Sequence, residues 1–194
     1  GCSTGEEVYS LAITLREVMD QLRRNIDVQI FGTDLDPAAV DAARAGAYPL
    51  GIANDVSGDR LTRFFSLVDE SYRIRKEIRE MVVFAPQNLI SDPPFTRLDL
   101  ICCRNLLIYL DSALQQRLLP LFHYALKSQG LLFLGTSESV GSGELFGDLA
   151  QLDARAGDSL AAMLPTGDAK DDKEIEKAIE HIDKSLEPEL WVDD

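Results

Sequence analysis

The run LDLICCRNL (98–106) is apolar almost without interruption before it ends on Arg104 and Asn105. A strand of this kind has no polar face to give to water. It predicts burial on both sides, the situation of a parallel sheet covered by helices. Three other segments share its design, an apolar stretch running straight into polar residues: DVQIFGTD (27–34), MVVFAPQNL (81–89) and GLLFLGTSE (130–138). Helical patterns lie between them. From Glu6 to Arg24, residues Val8, Leu11, Ala12, Leu15, Val18, Met19 and Leu22 follow helical spacing, with Asn25 as the stop. Pro37 suits the first turn of a helix over 38–45, and Gly46 suits its end. Asp111 is placed to cap a helix through Lys127, with Leu114, Leu118, Leu119, Phe122 and Leu126 on one side. Residues 47–79 read as a loop, a short helix around Arg60–Phe65 and a basic stretch from Arg73 to Arg79.

The order helix–strand–helix–strand–strand–helix–strand predicts an α/β protein with a doubly wound sheet. Ligands of such sheets bind outside the carboxyl ends of the strands. GTD, QNL, CRN and GTSE occupy those ends, and the opening GCSTG joins them.

GCSTG has two glycines bracketing three small residues, and two carboxylates, Glu6 and Glu7, follow before the first helical pattern. A small-residue turn lets a ligand approach backbone N–H groups at a helix N-terminus. Asp34 then ends the next strand, where an acid can accept hydrogen bonds from ribose hydroxyls. The spacing G-x-x-x-G is not the dinucleotide fingerprint, and no phosphate-binding lysine follows Gly5. Acids at the helix start would repel a pyrophosphate but suit a cationic ligand such as a sulfonium or ammonium. The competing account is a helix that simply carries acids in its first turn. Asn88 is placed to meet an adenine edge. Arg104 at the end of a buried strand needs a carboxylate partner or a cleft to face, and Tyr109 follows five residues later. A structural salt bridge and a packing role are the plain alternatives for these two.

Charge and cysteine content narrow the function classes. The net charge of −14 lacks the basic footprint a nucleic-acid partner requires. Residues 1–150 hold 14 basic and 20 acidic side chains, a net of −6, whereas 151–194 hold 5 and 13, a net of −8. The acidic end is therefore a different kind of segment. It reads as a linker from Ala154, then a helix with Ile175, Ile179, Ile182 and Leu186 on one stripe, either a surface helix or a partner-docking one. No apolar run is long enough to insert in a membrane, and the start lacks the features of a signal peptide. Cys2, Cys102 and Cys103 form no metal-ligand spacing, and adjacent strand residues are poor disulfide partners. Ordinary buried thiols in a reducing, cytoplasmic compartment are expected.

GCSTGEEVYSLA, FGTDLDPAAVDAARAGAY, VVFAPQNL, FTRLDLICCRNLLIYL and GLLFLGTSES, in this order, resemble the CheR-type protein-glutamate O-methyltransferases of bacterial chemotaxis. DPPFTRLDLICCRNLLIYL is particularly similar to the methyltransferase portion of fused methylesterase–methyltransferase proteins. The resemblance covers about residues 1–153 and implies a class I, Rossmann-like methyltransferase fold that binds S-adenosylmethionine. It implies methyl transfer to glutamates in the cytoplasmic domain of a chemotaxis receptor, with S-adenosylhomocysteine as product. It also implies that Gly1 and Gly5 frame the cofactor turn, with Glu7 and Glu6 near the methionine end. Asp34 would hold the ribose, Asn88 and Leu89 the adenine region, while Cys103 and Arg104 line the cofactor. Arg104 and Tyr109 would position the substrate. By the same comparison the strand ahead of GCSTG and the last strand after Asp153 are expected to be lacking. That would expose apolar strand edges, through which self-association is expected. The alternative to an enzyme is a non-catalytic cofactor-sensing or interaction module on the same fold.

Overall fold

The computed structural model describes residues 1–136 and 138, within two compact units, one over Gly1–Gln87 and one that starts at Asn88. The expectations for the end of the chain, from the lacking last strand to the helix carrying Ile175 and Leu186, lie outside the described residues. Among the described residues no helix is long and apolar enough to cross a membrane.

In the first unit the elements run α1 (Glu6–Gln21), β1 (Ile30–Asp34), α2 (Pro37–Ala45), β2 (Ala47–Pro49), a 3-10 turn (Leu50–Asn54), α3 (Gly58–Phe64), β3 (Phe65–Val68), β4 (Ser71–Ile74), α4 (Lys76–Arg79) and β5 (Val82–Pro86). The first two expected strands pair in parallel as β1 and β5, from Ile30 opposite Val82 to Asp34 opposite Pro86. Alternation along the pair then sorts its side chains. Ile30, Val82 and Phe84 join a core with Tyr9, Val40 and Ala43, while Phe31 and Val83, side by side in register, are about half exposed. Both α1 and α2 pack on this pair. Tyr9 fastens the two helices by donating its hydroxyl to the Ala43 carbonyl at 2.9 Å. Its ring meets Phe84 edge-on at 5.4 Å. As expected, Pro37 opens α2 behind the Asp36 cap, and Gly46 closes it. Helix α1 stops earlier than the periodicity suggests. The chain leaves it through Arg23 at φ 52°, and the Arg24 N–H returns to the Met19 carbonyl at 3.0 Å.

Residues 47–79 hold more order than the sequence discloses. They form a three-stranded antiparallel sheet in the order β2-β4-β3. Its strands are three or four residues long, too short to display an alternating pattern. The β3–β4 turn is Asp69-Glu70, without the glycine that usually marks a hairpin. Part of the basic stretch serves to satisfy backbone carbonyls here. Arg75 donates to the carbonyls of Phe65 at 2.9 Å and Thr62 at 3.1 Å, at the end of α3.

The second unit contains β6 (Leu98–Cys103), a 3-10 turn (Leu107–Tyr109), α5 (Ser112–Ala125) and β7 (Leu126–Leu134). Strands β6 and β7 are parallel, with Leu100 to Cys103 opposite Leu131 to Leu134. Asp111 caps α5, accepting from the Leu114 N–H at 2.8 Å. Leu118, Leu119 and Phe122 bury against Cys103 and Leu107. The helix ends two residues before Lys127 and β7 begins at once. The expected burial of both faces of β6 is not what the structure has: only Cys103 is fully buried and Asp99 is exposed. Among the described residues its hydrogen-bonded neighbour in the sheet is β7.

Candidate functional site

The opening turn of the first unit is built on the carboxyl end of β1. The Cys2 N–H donates to the Thr33 carbonyl at 2.9 Å, and the Ser3 N–H donates to Oδ2 of Asp34 at 2.7 Å. Ser3 (φ 46°) and Gly5 (φ 89°) both sit in the left-handed region, which bends the backbone back so that the Gly5 N–H reaches the Cys2 carbonyl at 2.9 Å. At Gly5 a Cβ would also come within 2.9 Å of the Ala43 Cβ and 3.0 Å of Phe84 Cζ. Glycine is therefore required twice over, by conformation and by space. From β2, the Tyr48 hydroxyl donates to the Thr4 carbonyl at 3.0 Å. Burial foremost, and next the charge of Glu6, raises the Tyr48 pKa, so this hydroxyl keeps its proton. Tyr48 is a site-building residue that sequence reasoning missed. Its signal was its place as the last residue of the FGTDLDPAAVDAARAGAY motif, at the start of a segment read as loop.

The acids expected around a cationic ligand stand at this turn. Gly5 precedes α1 without any side-chain cap, and Glu6 and Glu7 occupy its first turn. Glu6 accepts from the Thr4 hydroxyl at 2.6 Å. Asp34 receives a second N–H, from Asp36, on Oδ1 at 3.0 Å. Burial, the largest single influence, would raise the Asp34 pKa, but the N–H groups of Asp36, Ser3 and Leu35 together with the Gly1 ammonium hold the carboxyl below its ordinary value. Asp34 is thus ionised at neutral pH. An ionised carboxylate has about four acceptor sites, so the N–H groups of Ser3, Asp36 and Leu35 leave it able to accept a hydroxyl donor. The Cys2 thiol is pushed up to about 11, chiefly by burial, so it is no nucleophile at neutral pH.

The second unit carries the remaining candidates. Asn88 does not extend from a bare strand end. Its Oδ1 accepts from the N–H groups of Ile90 at 3.0 Å and Ser91 at 3.3 Å. Its own N–H donates to Asp92 at 2.7 Å, so the QNL segment closes on itself as a turn. Leu89 is half-buried against the core of this unit. Cys103 is buried at the end of β6. Arg104 follows it, its guanidinium 5.5 Å from the centre of the Phe133 ring on β7, a cation–π arrangement. Tyr109, in the 3-10 turn, is 79% exposed. The structure therefore gathers Gly1, Gly5, Glu6, Glu7 and Asp34 on one unit. Asn88, Leu89, Cys103, Arg104 and Tyr109 belong to the other.

Residues 1–153 match the family described as CheR methyltransferase, SAM binding domain. A 104.1 kDa uncharacterized protein encoded in the hypE 3′ region of Rhodobacter capsulatus is 46% identical over 140 residues, covering 72% of this chain and 15% of that protein. The putative methyltransferase Cher3 of Pseudomonas putida is 38% identical over 148 residues, covering 72% of this chain and 53% of that protein. The chemotaxis protein methyltransferase of Escherichia coli is 36% identical over 146 residues, covering 71% of this chain and 49% of the enzyme. The chain spans about half the length of these two methyltransferases.

Proposed function

This chain belongs to the CheR methyltransferase family, through its S-adenosylmethionine-binding domain, and from that membership we propose that it transfers methyl groups to glutamate side chains of chemotaxis receptors, for adaptation in signalling. The observation that carries the reading is the closure of the GCSTG turn on Asp34. It sets an ionised acid with acceptor capacity at the carboxyl end of a parallel strand, where nucleoside ligands of α/β sheets bind. The donor set fits S-adenosylmethionine: a carboxylate for ribose hydroxyls, two glutamates for a positive charge, and no lysine for phosphate. When bound, that cofactor supplies an activated methyl group on a positively charged sulfur.

The residues of the chain have modest tasks in such a reaction. A receptor glutamate is already ionised at neutral pH, so no general base is needed to make it nucleophilic. Alignment of the reacting groups is the main contribution left to the protein. In this reading Asp34 holds the ribose, Gly1 and Gly5 frame the turn, and Glu7 with Glu6 faces the methionine end. Asn88 and Leu89 serve the adenine region, with Cys103 and Arg104 along the cofactor. Arg104 and Tyr109 orient the receptor carboxylate, and the arginine's hold must leave one oxygen reactive. A cytoplasmic location beside receptor signalling domains belongs to the same reading.

The test is incubation of the natural protein with methyl-labelled S-adenosylmethionine and a receptor cytoplasmic domain. Label appearing as base-labile methyl ester on glutamates supports the reading. Cofactor binding without any transfer would instead favour a sensing or interaction module.

A further inference from the structure

Resting on the methyl-transfer reading, we propose that Glu138 is a positioning residue for the reaction, holding the loop that carries Arg104 and Tyr109. Its carboxylate collects four backbone N–H groups. Oε1 accepts from Leu106 at 2.9 Å and Leu107 at 2.7 Å, and Oε2 accepts from Asn105 at 3.0 Å and Gly135 at 2.8 Å. Three of these donors are consecutive. They converge because Asn105 takes a left-handed φ of 55° and Leu106 returns to the right-handed region, the alternation that folds successive N–H groups into an anion-binding concavity. Four bonds use the whole acceptor capacity of one carboxylate. Glu138 therefore has nothing left for a substrate, and its action must pass through the loop.

The same loop is braced from its other flank. From α5, the Gln115 amide donates to the carbonyls of Leu107 at 2.9 Å and Leu110 at 3.1 Å. A carboxylate thus grips the N–H groups of 105–107 while an amide grips carbonyls at 107 and 110. The held segment begins directly after Arg104 and includes Tyr109, whose ring is exposed. Packing cannot fix so exposed a side chain, so the set of its backbone must. Gly135 is part of the device, since a Cβ there would stand 2.9 Å from Oε2 of Glu138.

The test uses the natural protein and Glu138→Gln, which keeps the shape but replaces an accepting oxygen with an N–H₂ facing N–H donors. The expected result has three parts. Amide exchange at 105–107 accelerates, kcat for receptor methylation falls at least about tenfold, and the Kd for S-adenosylhomocysteine stays within about twofold. Faster exchange with unchanged kcat would make Glu138 a structural brace only and overturn the proposal, as would unchanged exchange. If Glu138→Gln does not fold, Glu138→Asp, one methylene short, is measured in the same way, and normal turnover in it overturns the proposal; loss of folding in both variants does so too. A wild-type protein that transfers no methyl group would instead sink the functional reading, and the inference with it. That outcome is distinguishable because the unmodified protein is the one that fails.

Discussion

Asp34 joins architecture and chemistry in a single carboxylate. Ser3 and Asp36 donate to it, and with the Leu35 N–H and the Gly1 ammonium they hold its pKa down against burial, the largest single influence. A group whose pKa is lowered by folding adds stability above its unfolded value, and that contribution is lost as pH falls through the folded value. The protein should therefore lose stability on acidification below about pH 4, the ordinary carboxylate range. A urea-unfolding series across pH checks this: the slope of stability against pH in that window should be shallower in Asp34→Asn. Arg104 is different in kind. Its guanidinium rests over Phe133, on a unit that does not contain the GCSTG turn. Arg104→Ala should lower kcat more than about tenfold with cofactor Kd changed by less than about twofold. Equal loss in turnover and in cofactor binding would reassign it to the cofactor.

The longer elements were legible in the sequence because their patterns repeat often enough to be read. The Pro37 start and Gly46 stop of α2, the Asp111 cap of α5 and the parallel character of the apolar strands all follow from local chemistry. The antiparallel sheet did not, because three- and four-residue strands carry too few residues to reveal a period. Its Tyr48 consequently went unseen as a support of the opening turn. Asp34 could be picked out as an acid at a strand end, but its grip on Ser3 depends on two left-handed residues that no pattern discloses. Glu138 illustrates the same limit, since its partners are backbone groups of a distant loop. Two substitutions probe the elements directly. Gly5→Ala forces a side chain into a left-handed position against Ala43 and Phe84 and should cost about 2–4 kcal/mol, read as a lowered urea midpoint. Asp111→Ala removes the α5 cap and should cost about 1 kcal/mol in the same measurement.

At the scale of the whole molecule, family membership rests on 153 matched residues and on relatives that are themselves about twice as long as the matched region. The chain's net charge of −14 lacks the basic footprint with which proteins neutralise nucleic-acid phosphates. In the proposed function, the turn that closes on Asp34 is a nucleoside-binding site for a cationic methyl donor. Calorimetric titration of the natural protein with S-adenosylhomocysteine, repeated on Asp34→Ala, tests it most directly. Saturable binding is expected in the wild type, with an affinity at least about tenfold weaker in the variant, a loss of about 1.4 kcal/mol. A folded wild type that takes up no ligand, or a variant that binds it equally well, would rule out a nucleoside site at Asp34.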